Sequence, residues 1–307
     1  MDNKKKVLVT GATGFTGRYM AQELERCGYE VHGLARTVAP LPGYHALHLG
    51  DLSHVDGLLR TLDAVQPHYV VHLAAIAFVA HGDVDEIYRV NVLGTRRLLD
   101  ALCQAVSKPE AVLLASSANV YGNGPTGLAA DGVLTEADAP APANDYAVSK
   151  LAMEYMARLF ADRLPLVVTR PFNYTGVGQA ASFLLPKIVE HFRRRAAVME
   201  LGNLDVARDF SDVRVVAQVY RRLLQTPAAV GGTFNVCSGQ PHTLQQVLQM
   251  TREISGHDLE VRVNPAFVRA NEVKRLQGSR ARLEATIGPV QDIALHETVR
   301  WMLEGKP

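Results

Sequence analysis

Two clusters in this 307-residue chain have the residue types and the spacing to do chemistry. The first is Gly11-Ala-Thr13-Gly14-Phe15-Thr16-Gly17, which follows a β-branched run, Lys6–Thr10, and opens a stretch of helical spacing. Glycine lets a backbone turn tightly and approach a pyrophosphate, and a helix N-terminus offers unpaired N–H groups and the positive end of a dipole. The spacing is G-x-x-G-x-x-G, not the G-x-G-x-x-G dinucleotide fingerprint. A bare turn under a close helix crossing would use the same glycines, and the position directly after the first strand is what favours a dinucleotide. The second cluster is Tyr146-Ala-Val-Ser-Lys150, with Ser117 lying upstream at the end of a predicted strand. Positions i and i+4 share a helix face, so Tyr146 and Lys150 present their polar ends to one place. A phenol with a pKa of about 10 is a poor acid–base at neutral pH, and a neighbouring ammonium favours its phenolate. The pairing therefore predicts a lowered Tyr146. A serine hydroxyl at a strand end can hydrogen-bond a carbonyl oxygen under reduction. Such pairs are common by chance; behind a glycine loop they read as a hydride-transfer centre.

Two smaller signals bear on the cofactor. An acidic residue at the end of the second strand would bind the ribose hydroxyls of NAD, but the chain reads Gly33-Leu-Ala-Arg36 there. Guanidinium pairs with a 2′-phosphate through bidentate charged hydrogen bonds, so NADP(H) is preferred, with NAD(H) left open. Asp51, in Gly50-Asp-Leu52, is placed to accept from an adenine or to cap the next helix.

These residues need a scaffold that brings loop ends together. Predicted strands at Lys6–Thr10, Glu30–Leu34, Ala46–Leu49, Tyr69–Leu73, Glu110–Ser116 and Leu166–Arg170 alternate with helices at Arg18–Cys27, Ser53–Val65, Asp83–Val106 and Asp145–Arg163. Ser53 is the expected N-cap of the second helix. This alternation predicts an α/β fold, a doubly wound parallel sheet of the Rossmann kind. Beyond residue 171 the elements shorten, with helices at Val213–Gln225, Thr243–Ser255 and Ile293–Leu303 and strands at Phe234–Val236 and Glu260–Val263. We expect a dinucleotide domain over 1–172 and a smaller mixed lobe over 173–307, the segments interleaved and the lobe set over the carboxyl ends of the strands. The loop Gly122–Ala143 is long enough to expect a function for it.

Composition excludes several classes. Hydrophobic residues are 48% and charged residues 21% of the chain, a folded globular balance. No apolar run reaches the roughly 18 residues of a membrane span, and no signal-peptide core follows Met1, so the cytoplasm is the expected compartment. Cys27, Cys103 and Cys237 are scattered and the histidines form no H-E-x-x-H, so neither a disulfide framework nor a metal is expected. The net charge of +1 gives no reason to expect nucleic acid. Residues 1–150 hold 12 basic against 16 acidic residues and 151–307 hold 20 against 15, a weak hint of an anionic ligand in the second half.

Taken in order, Gly11–Gly17, Gly50-Asp-Leu52, His72-Leu-Ala-Ala75, Asn91-Val-Leu-Gly-Thr95, Ser116-Ser-Ala-Asn-Val-Tyr-Gly122 and Tyr146–Lys150 resemble the extended short-chain dehydrogenase/reductases that act on nucleotide sugars. Arg170–Gln179, Gly202–Val213, Phe234–Gly239, Arg269-Ala-Asn-Glu272 and Gly278-Ser279 are most similar to the branch reducing GDP-4-keto-6-deoxy-D-mannose to GDP-D-rhamnose. The resemblance implies Ser117, Tyr146 and Lys150 as the catalytic trio. It implies dinucleotide contacts from Gly11, Thr13, Gly14, Phe15, Thr16, Gly17, Arg36, Asp51, Leu52, Leu73, Ala74, Ala75, Asn91, Tyr146, Lys150 and Phe172. For the nucleotide sugar it implies Ser117, Asn173, Lys187, Arg208 and Arg269, the arginines clamping its diphosphate.

Two departures matter. Related 4,6-dehydratases carry a carboxylate just after the catalytic Ser/Thr, where this chain has Ala118 and Asn119, and an amide cannot exchange the protons that eliminating water requires. Tyr174 stands where these reductases more often have histidine, beside the sugar site. The resulting expectation is NADPH-dependent reduction of a 4-keto-6-deoxyhexose nucleotide. The rival readings are a nucleotide-sugar 4-epimerase and a non-catalytic NADP-binding regulator. The resemblance further implies a homodimer built on apolar faces of 83–106 and 145–163.

Overall fold

The computed structural model describes residues 4–37, 40–77, 82–122, 132–267 and 274–305. Strands β1 (Lys6–Thr10), β2 (Glu30–Ala35), β3 (Ala46–Leu49), β4 (Tyr69–His72), β5 (Ala111–Ala115) and β6 (Leu166–Pro171) form a parallel sheet. Helices α1 (Phe15–Arg26), α2 (Val55–Val65), α3 (Val84–Tyr88), α4 (Thr95–Gln104) and α5 (Asp145–Arg158) connect them. Val7, Leu8, Val9, Val70, Val71, Val112, Leu113 and Leu114 are fully buried. Unbroken apolar runs of this sort are what burial on both faces requires.

Beyond β6 come β7 (Asn173–Thr175), α6 (Leu184–Arg193), β8 (Val198–Leu201), β9 (Ala207–Asp212), α7 (Val213–Leu224), β10 (Thr233–Val236), β11 (Pro241–Thr243), α8 (Leu244–Ser255), β12 (Glu260–Val263), β13 (Arg275–Leu276), α9 (Ala281–Ile287) and α10 (Leu295–Glu304). The chain returns to the large sheet once: β10 pairs with β6 and completes seven strands in the order β10-β6-β5-β4-β1-β2-β3. The order reverses beside β1, between β2 and β4, where open α/β sheets leave a crevice at their carboxyl ends. One apolar core joins α1 and α7 to one face of the sheet, and a second joins α2, α4 and α5 to the other. Separately, β9 pairs with β7, β11 and β13, β8 pairs with β12, and α6, α8 and α10 share a third core.

The structure corrects several sequence-derived boundaries. Helix α1 begins at Phe15, three residues before the expected Arg18, because Gly14 serves as its N-cap without any side-chain acceptor. Ser53 caps nothing; Asp51 Oδ1 accepts the Ser53 N–H at 2.7 Å and the helix begins after His54. The helix expected over 83–106 is two α segments joined by a π-helical stretch, Arg89–Gly94. Helix α5 stops at Arg158, five residues short of the expected end. Much of the Gly122–Ala143 loop, residues 123–131, lies outside the described residues. Among the described residues no helix is long and apolar enough to cross a membrane.

Beneath the carboxyl end of the sheet runs a buried polar chain. Glu154 on α5 accepts from Arg170 Nε and Nη2 of β6 at 3.0 and 2.7 Å and from Ser116 Oγ at 2.5 Å. Arg170 Nη1 donates to the Tyr121 hydroxyl, which donates to Asn235 on β10. Burial alone would pull Arg170 down, and Glu154 more than offsets it, so the guanidinium pKa stands raised. Breaking a buried pair from one side leaves an uncompensated charge. Glu154→Gln should therefore lower the unfolding free energy by about 3–5 kcal/mol, read as a fall in the urea midpoint. Glu260→Gln, which opens the exposed Glu260–Arg262 pair, should leave the midpoint nearly unchanged. Equal losses would show that Glu154 carries no special burden.

Candidate active site

The crevice is walled by the glycine turn after β1, the chain leaving β4, Ser117 after β5, the start of α5 and the end of β6. Gly11 has φ +70°, and a Cβ there would stand 2.8 Å from the Ala74 nitrogen. A Cβ on Gly17 would stand 2.4 Å from the Gly11 carbonyl oxygen, so larger residues at either position would push the turn apart. With Gly14 offering no side-chain acceptor, the first-turn N–H groups of this 12-residue helix are left to a ligand. The turn therefore fits a dinucleotide diphosphate.

The segment after β4 is drawn beside that turn by a histidine relay. Thr10 Oγ1 meets His72 Nδ1 at 2.7 Å and accepts the Ala74 N–H at 3.2 Å, while His72 Nε2 meets Thr95 Oγ1 at 2.8 Å. Burial, together with the charge of Lys150, pulls His72 down to about 3 and keeps it neutral. Leu73 and Ala74 thereby lie against Gly11, and Ala75 is half-buried. Asn91, in the π-helical stretch, accepts the Ile76 N–H at 2.9 Å and donates to the Ile76 carbonyl at 3.1 Å and to Ser149 Oγ at 3.0 Å. It locks the β4 loop to the helix that carries Tyr146 and Lys150. A π-bulge accommodates such an inward side chain at a functional site.

Asn144 caps α5 by accepting the Ala147 N–H at 2.9 Å, which sets Tyr146 in the first turn. Ser117 Oγ lies in hydrogen-bonding reach of the Tyr146 phenol. The Asn119 N–H and Nδ2 both donate to Ser117 Oγ, at 3.2 and 3.1 Å. With its lone pairs so engaged, the Ser117 hydroxyl is left to donate, and the Tyr146 phenol is the acceptor in its reach. The sequence had singled out Asn119 only for what it cannot do. The signal in the sequence is its position two residues after Ser117, close enough for a side-chain amide to reach back to the hydroxyl.

The expectation of a lowered phenol is not met. Burial pushes Tyr146 up to about 12, its hydrogen bond with Ser117 pulling back only in part. Lys150 Nζ donates instead to the Ala115 carbonyl at the end of β5, 2.7 Å away. Burial pulls Lys150 down to about 8, against the charge of Glu154 one turn on. At neutral pH this site holds a protonated phenol beside a mostly protonated amine.

The remaining candidates divide. Arg36 is exposed directly beyond β2, and its charge helps lower Asp51, whose carboxylate is held chiefly by the Ser53 N–H. Leu52 is buried against Gly94, and Thr13 lies half-buried in the glycine turn. Phe172 is buried in an apolar cluster with Ala118, Tyr121, Cys237 and Leu276, and its N–H donates to the Val236 carbonyl. Asn173, the next residue, is exposed. Arg208 Nη1 donates to the Ala207 and Lys274 carbonyls. Lys187 donates to the Glu200 carbonyl at 2.8 Å and stands 4.6 Å over the Phe267 ring. Arg269 lies outside the described residues. Sequence reasoning missed Asp209, fully buried on β9, which accepts from the Ser238 N–H and Oγ and from the Gly239 and Gly278 N–H groups and so ties three segments together beside Arg208.

The chain is similar to known proteins over nearly its whole length. The description "NAD dependent epimerase/dehydratase family" matches residues 7–237. GDP-6-deoxy-D-talose 4-dehydrogenase of Aggregatibacter actinomycetemcomitans is 34% identical over 92% of this chain and 91% of its own. GDP-6-deoxy-D-mannose reductase of Pseudomonas aeruginosa is 34% identical over 97% and 96%. RMD from Pseudomonas aeruginosa, solved in complex with NADPH, superimposes with a TM-score of 0.84 at 32% identity, covering 98% of each chain. A candidate epimerase from Burkholderia cenocepacia J2315 does so with a TM-score of 0.90 at 50% identity, covering 98% of this chain and 97% of that one. Fold, crevice and relatives agree: the chain belongs to the NAD-dependent epimerase/dehydratase family, the extended short-chain dehydrogenase/reductases, and is an NAD(P)-dependent oxidoreductase of that type.

Proposed function

We propose that the chain reduces the C4 ketone of a nucleotide-linked 4-keto-6-deoxyhexose, and specifically converts GDP-4-keto-6-deoxy-D-mannose to GDP-D-rhamnose. The observation that carries this is a buried, protonated Tyr146 in reach of a Ser117 whose lone pairs are already occupied. Ser117 donates to the ketone oxygen, and Tyr146 delivers a proton to it as negative charge develops. Lys150 stabilises that exchange by its charge and, with the first turn of α1, would hold the dinucleotide. Bound there, NADPH supplies the hydride. Arg36 would pair with its 2′-phosphate, and Asn173, Arg208, Arg269 and Lys187 would hold the nucleotide sugar. Asn119 donates its amide to Ser117 and has no proton to exchange at neutral pH, which speaks against a dehydratase.

The two relatives at 34% identity are named for GDP-6-deoxy-D-mannose and GDP-6-deoxy-D-talose, sugars that differ at C4. The face of the ketone that is attacked is thus the finest part of the proposal. A second reading, a 4-epimerase, is favoured by the Burkholderia neighbour; it would need no added reductant. The exposed apolar residues Leu93, Val148, Tyr155 and Leu159 lie on the α5 side of the large domain, and a second copy of the chain is our proposal for what covers them.

Incubated with NADPH and a panel of GDP-, dTDP-, UDP- and CDP-linked 4-keto sugars, the protein should consume NADPH with the GDP sugar and yield GDP-rhamnose by NMR. Consumption with none of them would end the proposal, and conversion without reductant would favour the epimerase. Tyr146→Phe should lower kcat by about 10²–10⁴ while still binding NADPH. Near-normal turnover would contradict the assignment. For cofactor choice, Arg36→Ala should lower kcat/KM with NADPH by roughly 10–100-fold and leave NADH nearly untouched, the scale of losing hydrogen bonds to a charged group. Equal losses would remove Arg36 from the 2′-phosphate. The pH profile of kcat/KM should fall as pH rises through about 8, where Lys150 gives up its proton, while Tyr146, pushed up to about 12, stays protonated. A profile flat to pH 10 would show that the charge of Lys150 is not needed.

A further inference from the structure

On β7, Asn173 is exposed while the ring of Tyr174 is turned toward α1, where the proposed reaction gives it no part. That ring lies nearly parallel to Phe15, with centroids 6.2 Å apart and planes at 13°, and its hydroxyl shares a 2.8 Å hydrogen bond with Thr16 Oγ1. Phe15 and Thr16 are the first two residues of α1, the turn whose N–H groups no side chain caps. The contact joins residues 158 positions apart in sequence and ties the strand bearing Asn173 to the glycine turn. Both ends are themselves held. Gln179 Nε2 donates to the Tyr174 carbonyl at 3.2 Å. Phe15 packs edge-on against Tyr19, and Tyr19 against Trp301. The Tyr19 hydroxyl donates to the Val177 carbonyl at 2.7 Å. Burial raises the pKa of Tyr174, so at neutral pH the bond joins two neutral hydroxyls.

We propose that Tyr174 is a positioning residue for the dinucleotide, holding the first turn of α1 through Thr16 and Phe15 at a fixed distance from Asn173 and Tyr146. A turn ordered before the ligand arrives binds more tightly, because less ordering remains to be done on binding. The inference rests on the dinucleotide reading of the glycine turn. Its test is a double-mutant cycle on binding, not on turnover. NADPH is titrated calorimetrically into the wild type, Tyr174→Phe, Thr16→Val and the double variant, with NADH titrated alongside and ligand-free melting temperatures recorded. Phenylalanine keeps the ring, so Tyr174→Phe tests the hydrogen bond alone. Each single variant should weaken binding about three- to tenfold, the worth of one hydrogen bond, and the double variant should bind no worse than the weaker single. Unchanged binding in Tyr174→Phe, losses that multiply in the double variant, or lower melting temperatures with unchanged binding would each overturn the proposal. A wild type that binds neither nucleotide would instead overturn the dinucleotide reading, and this inference with it.

Discussion

The crevice depends on the buried pair between Glu154 and Arg170. The pair joins α5, which carries Tyr146 and Lys150, to β6, whose end leads into Asn173 and Tyr174. Ser116 donates to the same carboxylate, so the residue beside Ser117 is anchored to the helix that presents the phenol. An ion pair of this kind adds little net stability over well-packed apolar side chains. Its contribution is geometric: three segments that meet only through tertiary structure are held to one carboxylate, and the hydroxyl chain from Tyr121 to Asn235 extends the brace to β10.

The same carboxylate also shapes the charge of the site. It stands one turn from Lys150 and opposes the burial that would otherwise strip the ammonium of its proton. Tyr146 has no such neighbour and is left a weak acid by burial. Burial thus pushes both groups, four residues apart, toward their neutral forms, and only Lys150 has a carboxylate nearby to oppose it. An uncharged phenol can give up a proton to a developing alkoxide, the step that the proposed reduction needs. The order of strands brings these groups to one edge, and the glycine turn places a dinucleotide site across from them.

Much of this was legible in the sequence because its signals are local. Glycine spacing after a β-branched run, a tyrosine and lysine one helical turn apart, and apolar runs too continuous for one-sided strands each speak within a few residues. The parallel sheet and the place of Ser117, Tyr146 and Lys150 follow from them. What escaped is long-range. Glu154 and Arg170 read as ordinary charges until β6 and α5 are packed together. Strand β9, Ala-Arg-Asp-Phe-Ser-Asp, buries Asp209 and Asp212 and so carries no strand-like apolar pattern. Helix α1 hid its start because Gly14 has no side-chain acceptor to mark it, and the π-helical turn hid inside a helix because nothing in the run Arg89–Gly94 breaks helical spacing. The expectation of a lowered phenol failed for a different reason: spacing placed the lysine correctly but could not show that its amine turns to the Ala115 carbonyl.

The central claim, that a carbonyl carbon at C4 receives a hydride in this crevice while Tyr146 protonates its oxygen, is tested most directly by isotope transfer. The protein is given NADPH carrying deuterium at the transferable C4 position and GDP-4-keto-6-deoxy-D-mannose. One deuterium bound to C4 of the sugar product, one NADPH consumed per product and a single configuration at that carbon are the predicted result. Product without deuterium at C4, or no product at all from an enzyme that binds NADPH, would contradict the account.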